Sequence, residues 1–374
     1  MKTFQKFTLA ILTMLVMVTQ LSATSWEVEV ETGAISTISS GVSVNTIRKI
    51  GGGQLNLTGT GYSVDFIEVA DGQVYVHDAA GLYLRQPVWL TAGIYPAKET
   101  HFYVEVAAGE SATVSAPIIV AVLHKTGDGT VDFNCLGTRV DYLKIEAGRV
   151  ITDNTDLIPL LGLDLGGILS VTTDITVPDV ALTANGTIES TNDITLTSLV
   201  LAGYTLTTNA GGKTILTQLD TTTTGGTISN ADELTLNGAV GTNLLTKIGA
   251  GTMQVPANLS GASVPVTVNE GAMRVSGSGR LPTAAMTIGA ISTAGAIFQL
   301  SESAVPTVPT AGAVPGAMVV QQYGILSVDA GLAVPADSDA GDVFTGTLKF
   351  NSGSVLKLGD GSSWARDMTI GAAL

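Results

Sequence analysis

A nine-residue block recurs three times along the chain, and its glycine spacing constrains the fold more than any other feature. The copies are K-I-G-G-G-Q-L-N-L at Lys49–Leu57, K-T-G-D-G-T-V-D-F at Lys125–Phe133 and K-I-G-A-G-T-M-Q-V at Lys247–Val255. Each copy is followed by a second half with one further glycine, and the step from the last block glycine is 19, 19 and 20 residues. A fixed step of this kind predicts a stack of repeated units. The repeat-defining glycines are Gly51, Gly53, Gly72, Gly127, Gly129, Gly148, Gly249, Gly251 and Gly271.

The repeated unit has the pattern of a β-strand. Short runs alternate apolar and polar residues after a glycine, as in Gly53–Leu57 and Gly129–Phe133. A strand-turn unit of about 20 residues cannot bury its own apolar face, so successive units must stack around one core. We therefore predict an all-β, right-handed parallel β-helix (solenoid) with Leu55 and Val74 stacked on adjacent rungs.

The first 23 residues have the pattern of an export signal. Lys2 and Lys6 precede the uncharged apolar run Phe7–Val18, and small residues follow it. This pattern is typical of a secretory signal peptide, and the run is too short to span a membrane. No later run reaches the roughly 18 apolar residues that a transmembrane helix needs. We therefore predict an extracellular or cell-surface protein without a transmembrane segment after the signal.

Beyond the signal, the chain divides into two stretches of β-helix and one interruption. Residues 24–83 are the N-terminal part of the β-helix, with Trp26–Val30 as its predicted cap. Residues 84–120 carry prolines and aromatic residues and predict one inserted loop or small β-subdomain. Residues 121–374 continue the β-helix, apart from a Pro/Ala-rich loop at Ser301–Pro315.

The charge balance restricts the partners. The chain has 17 Lys and Arg residues against 32 Asp and Glu residues, and its net charge is −15. A charge of this sign disfavours nucleic acid and anionic membrane surfaces. The expected partner is an unknown extracellular protein or glycan.

Residue types that carry catalysis or metal binding show no site-forming spacing. The histidines are far apart, and His124 is predicted to be a surface or turn residue. The aspartates beside glycines are predicted to be solvated turn residues, because no calcium-loop pattern surrounds them. The lone Cys135 shares the parity of the core. We therefore expect no catalytic residue, no metal and no cofactor. The histidines and turn aspartates are His77, His101, His124, Asp71, Asp128 and Asp360.

The strongest candidate for a binding site is an aromatic group in the interruption. It consists of Trp89, Tyr95, Phe102 and Tyr103. Exposed Trp and Tyr side chains stack on sugars or anchor protein partners. The alternative is that these four residues form the small core of the insertion itself.

The two-part block resembles the autotransporter-associated β-strand repeat of bacterial surface passenger domains. Lys247–Val275 is the closest copy, and the other two match at the lysine, the glycines and the strand residues. The resemblance implies a secreted, surface-displayed β-helical rod. Autotransporters usually end in a membrane β-barrel, whereas this chain ends M-T-I-G-A-A-L. We expect either a fragment or a rod exported without its own pore.

The leading functional hypothesis is a non-enzymatic adhesin or display scaffold. One alternative is a polysaccharide-active β-helix enzyme, with Asp132, Arg139, Asp141 and Lys144 as the candidate residues. The other alternative is a self-assembling surface-layer or fibre subunit, because open β-helix ends invite end-to-end self-association.

Overall fold

The structure is a computed structural model of the chain. It describes residues 25–39, 43–58, 63–69, 73–76, 83–84, 101–114, 119–133, 139–152, 162–276, 279–289, 296–301, 314, 316–329, 333–334, 344, 346–365 and 367–370. The predicted signal peptide, Cys135 and most of the predicted loop at Ser301–Pro315 lie outside the described residues.

The described elements are all β-strands. The first twelve are β1 Ser25–Glu29, β2 Ile35–Ile38, β3 Ser43–Ile50, β4 Gln54–Leu57, β5 Ser63–Val69, β6 Gln73–Val76, β7 Tyr83–Leu84, β8 His101–Glu105, β9 Ser111–Val114, β10 Ile119–Thr126, β11 Thr130–Phe133 and β12 Arg139–Ile145. The next twelve are β13 Arg149–Thr152, β14 Gly162–Leu165, β15 Ile168–Val171, β16 Ile175–Leu182, β17 Gly186–Ser190, β18 Ile194–Val200, β19 Thr205–Ala210, β20 Lys213–Thr221, β21 Gly226–Asn230, β22 Glu233–Leu236, β23 Ala239–Gly241 and β24 Leu245–Ile248. The last twelve are β25 Thr252–Val255, β26 Val266–Val268, β27 Ala272–Ser276, β28 Met286–Ile288, β29 Ala296–Ser301, β30 Met318–Val320, β31 Gly324–Val328, β32 Ala333–Val334, β33 Leu348–Phe350, β34 Val355–Leu358, β35 Ser363–Trp364 and β36 Thr369–Ile370.

These strands pair in parallel with strands one turn away, and this pairing builds a β-solenoid. The first sheet is β1-β3-β5-β7. The second sheet starts at β2 and continues through the even-numbered strands to β20 and on to β34. The third sheet orders thirteen described strands from β9 to β36. The predicted all-β parallel solenoid is therefore confirmed, and no helix occurs among the residues that the structure describes.

One apolar core runs through the stack. Leu55 on β4 is fully buried and pairs with Val74 on β6, as the glycine step predicted. The buried apolar side chains form a single cluster that extends from Val30 to Phe350. Each turn is therefore stabilised mainly by the turns above and below it.

The longest strands bend part-way along their length. In β16, Val177 and Val180 are both buried although three positions separate them, and Leu216 and Leu219 repeat this in β20. A flat strand would turn residues three apart to opposite faces. Each long strand therefore crosses a corner and supplies two sides of a turn, and the third sheet supplies the remaining side.

The structure places part of the predicted insertion within the stack. β8 pairs with β6 and β10, and β9 pairs with β11, so residues 101–114 form an ordinary rung. The sequence carries the signal: F-Y-V-E-V-A-A-G-E-S-A-T-V at 102–114 repeats the pattern W-E-V-E-V-E-T-G-A-I-S-T-I at 26–38. Residues 85–100 lie outside the described residues.

The described part of the chain contains no helix of the length and apolar character that a membrane crossing requires.

Candidate functional site

The predicted aromatic site is described only in part. Trp89 and Tyr95 lie outside the described residues, and Phe102 lies on β8 opposite Leu123. Tyr103, also on β8, is half-buried, and its ring stacks on the His124 ring with 4.0 Å between centroids and 18° between planes. The structure therefore brings Tyr103 into contact with a histidine of the next rung.

The prediction that His124 is a surface or turn residue is wrong. His124 lies within β10, and only 6% of its surface is exposed. Tyr103 covers it from one rung and Lys144 lies opposite it in the next, while Nδ1 is 2.9 Å from Glu146 Oε1. An outward side chain can be buried in this fold because the neighbouring rungs are only about 4.8 Å away.

The four candidate residues for an enzyme do not share one face. Asp132 lies on β11 of the third sheet, whereas Arg139, Asp141 and Lys144 lie on β12 of the second. Lys144 instead pairs with the next rung, where its Nζ is 3.2 Å from Asp164 Oδ2.

Metal-binding side chains are not gathered in the described residues. No group of three His, Cys, Asp or Glu side chains there is placed to hold an ion. Asp71 and His77 lie outside the described residues.

Aromatic and charged side chains gather on the outward face of β8, β10, β12 and β14. Two ladders run side by side across these strands. We call the group the Tyr142 cluster. In register, one ladder is Tyr103, His124, Lys144 and Asp164, and the other is Val122, Tyr142 and Gly162; Glu146 lies at the end of β12.

Tyr142 is the exposed ring of this cluster. It lies opposite Gly162 in the next rung, and 42% of its surface is exposed. A Cβ atom at Gly162 would lie 3.0 Å from Cε1 of the ring. The ring therefore occupies the space that a side chain at Gly162 would fill, and it lies against the β14 backbone.

The lysine of each nine-residue block is buried. Lys49, Lys125 and Lys247 are at most 1% exposed. Lys247 Nζ donates to the carbonyl oxygens of Ile248 at 2.8 Å, Gly249 at 2.7 Å and Glu270 at 3.1 Å. The ammonium group thus satisfies carbonyls of its own corner and of the next rung.

The other two blocks have the same arrangement. Lys125 Nζ donates to Thr126 O at 2.7 Å, Gly127 O at 2.6 Å and Ala147 O at 3.3 Å. Lys49 Nζ donates to the carbonyl oxygens of Ile50 and Gly51. The sequence interpretation missed this role, although each lysine has the inward parity of an apolar residue two positions before it. Those residues are Ile47, Leu123 and Leu245.

The block glycines are required for two different reasons. Gly249 has φ +81°, which side chains rarely tolerate. Gly251 does not, but a Cβ atom there would lie 2.1 Å from Asp232 O of the preceding rung. The second-half glycine, Gly271, packs on both, because its Cβ would lie 2.3 Å from Gly249 O. The two-part block is therefore one corner stacked on another. Gly72 lies outside the described residues.

The three blocks do not occupy the same corner of the solenoid. The Lys49 block joins β3 of the first sheet to β4 of the second. The Lys125 block joins the second sheet to the third, and the Lys247 block joins the third to the second. The block is therefore a corner module that fits at several positions around the rod.

No family model, curated protein or solved structure matches the chain. The resemblance of the block to the autotransporter-associated β-strand repeat remains an interpretation of its lysine, glycine and strand residues.

The buried lysines predict a rise of stability at alkaline pH. Burial lowers the pKa of Lys247 from 10.5 to about 8, and Glu270 opposes this only in part. Between these values the unfolded chain binds more protons than the folded one, so the free energy of unfolding increases with pH. We expect wild type to gain up to about 3 kcal/mol more than Lys247→Met between pH 7 and pH 11.

Urea unfolding of both proteins at the two pH values measures this difference. The variant is the control, because every other titrating group is common to both chains. A smaller wild-type advantage at the higher pH would show that the three carbonyl acceptors hold the proton more strongly than desolvation removes it.

Proposed function

We propose that the chain is a secreted, surface-displayed β-helical rod that acts as a non-enzymatic adhesin or display scaffold. The observation that supports this proposal is the position of the Tyr142 cluster. It lies on the outward face of strands that are held by parallel pairing on both sides, above a filled apolar core. Such a face is rigid, and a rigid scaffold presents its side chains in one arrangement.

The outward polar groups also bond to each other along the rod. Arg149 Nη1 is 2.5 Å from Glu189 Oε2, two rungs away. Arg274 Nε donates to Gln299 Oε1 at 3.1 Å, and Gln299 Nε2 donates to Asp329 Oδ1 at 2.6 Å. These ladders fix the surface, which favours a scaffold over a catalytic face that needs free acid and base groups.

Export to the surface is tested by expression of the full chain in a Gram-negative host. We expect surface protease to cleave wild type in intact cells and to leave a variant without residues 1–23 intact in the cytoplasm. The physical reason is that the apolar run Phe7–Val18 directs export. Equal protection of both chains in intact cells would contradict surface display. Adhesion of the expressing cells to coated surfaces then tests the adhesin role.

A second candidate function is self-assembly, favoured by exposed apolar side chains in the outermost described rungs. Trp26 has the inward parity of its partner Ile47, yet 36% of it is exposed. Ile370 lies opposite the buried Phe350 and is 78% exposed. Sedimentation velocity over a range of concentrations tests end-to-end association. A constant monomer mass would contradict this candidate.

A further inference from the structure

We propose that the outward face of β12 and β14 binds a neutral polysaccharide, with the Tyr142 ring as the stacking platform. This inference rests on the proposed function, because it names the partner of a non-enzymatic adhesive rod. The residues that carry it are Tyr142, Gly162, Lys144 and Asp164, which lie on adjacent rungs.

The stacking platform is formed by an absent side chain. Because Gly162 has no Cβ, the Tyr142 ring lies against the β14 backbone, while 42% of its surface remains exposed. A ring held in this way is amphipathic: it offers an apolar face and a hydroxyl group to one ligand. The C–H face of a sugar ring is flat and apolar, and it fits such a surface.

Hydrogen-bonding groups flank the ring on one side. Lys144 is two residues from Tyr142 on the same strand, so it lies about 7 Å along the strand on the same outward face. Its ammonium is 3.2 Å from the Asp164 carboxylate, and both side chains are about one third exposed. The pair offers donors and an acceptor to sugar hydroxyls without a net charge.

The charge and apolar pattern selects the class of ligand. The chain has a net charge of −15, which repels anionic polymers. Tyr142 is the one exposed large apolar side chain on the described parts of β8, β10, β12 and β14. A protein partner normally buries a central cluster of anchors rather than one isolated ring. A neutral polysaccharide requires only a stacked ring and polar neighbours.

The test is depletion binding of the purified full chain to particulate cellulose and chitin, with soluble alginate as the anionic comparison. We expect wild type to bind a neutral polymer and not alginate, and Tyr142→Ala to weaken binding about tenfold or more. Gly162→Thr should have a similar effect, because its Cβ displaces the ring without removing it. Tyr204→Ala is the matched control, since Tyr204 is 39% exposed elsewhere on the rod.

Each outcome decides the inference. Binding by wild type and Tyr204→Ala that both ring variants lose, with unchanged melting temperatures, supports it. Wild-type binding that Tyr142→Ala retains overturns it but leaves the adhesive rod in place. Failure of wild type to bind either neutral polymer, or a preference for alginate, also overturns it. Release of soluble sugar from either polymer would instead contradict the non-enzymatic function.

Discussion

Replacement of Lys247 by alanine is expected to lower the free energy of unfolding by about 3 kcal/mol or more. The side chain is fully buried, and its Nζ donates to three carbonyl oxygens that span two rungs. Alanine would leave these acceptors without a donor and would also open a cavity, and both effects destabilise. Urea unfolding at neutral pH measures the change.

Lys213→Ala is the matched control for Lys247→Ala. Lys213 lies at the start of β20 and is exposed, so its loss should change stability by no more than about 0.5 kcal/mol. Lys125→Ala should repeat the large effect, because its three acceptors have the same arrangement. Equal stabilities of Lys247→Ala and Lys213→Ala would show that water replaces the ammonium group at no cost.

Replacement of Gly251 by alanine is expected to destabilise the rod by about 3 kcal/mol or more. The added Cβ would lie 2.1 Å from Asp232 O and 2.7 Å from Ala231 C, both in the backbone of the preceding rung. Backbone atoms held by ladder hydrogen bonds cannot move aside, so the two rungs must separate locally. A lower urea midpoint than that of wild type measures the effect.

Gly261→Ala provides the control for this substitution. A Cβ atom at Gly261 meets no atom within 4 Å, so alanine there should be neutral or slightly stabilising. If Gly251→Ala unfolds at the same urea concentration as Gly261→Ala, the close approach of the rungs is not what requires glycine at this position.

The glycine step and the strand alternation were sufficient to predict the parallel stack. Leu55 and Val74 are 19 residues apart, and the structure pairs them on adjacent strands. This prediction succeeds because parity and turn spacing are local: alternation sends every second side chain inward, and the glycines set the length of each unit.

The buried lysines were missed because a charged residue in an inward position appears to conflict with the apolar pattern. Lys125 has the parity of Leu123, but its partner groups are backbone carbonyls, which the sequence does not display. The rung at residues 101–114 was missed for a different reason. It lacks the lysine and the second glycine, and its match to residues 26–38 is in strand pattern alone.

The candidate site could be predicted only at single positions. Tyr103 was singled out as an aromatic residue and Lys144 as a charged one, but neither prediction joined them. The structure does so through register, which places Tyr103, His124 and Lys144 in one ladder. The seat of Tyr142 depends likewise on Gly162, which is 20 residues away in the sequence.

The sequence by itself determined the fold class, the length of a rung and which side chains face inward. These features follow from the alternation of the strand and from glycine at fixed steps, which act within one unit. Only the tertiary structure decided which corner each lysine block occupies and which outward side chains meet. Those features depend on the cumulative register of many rungs, because each bend and each change of loop length shifts every later strand around the rod.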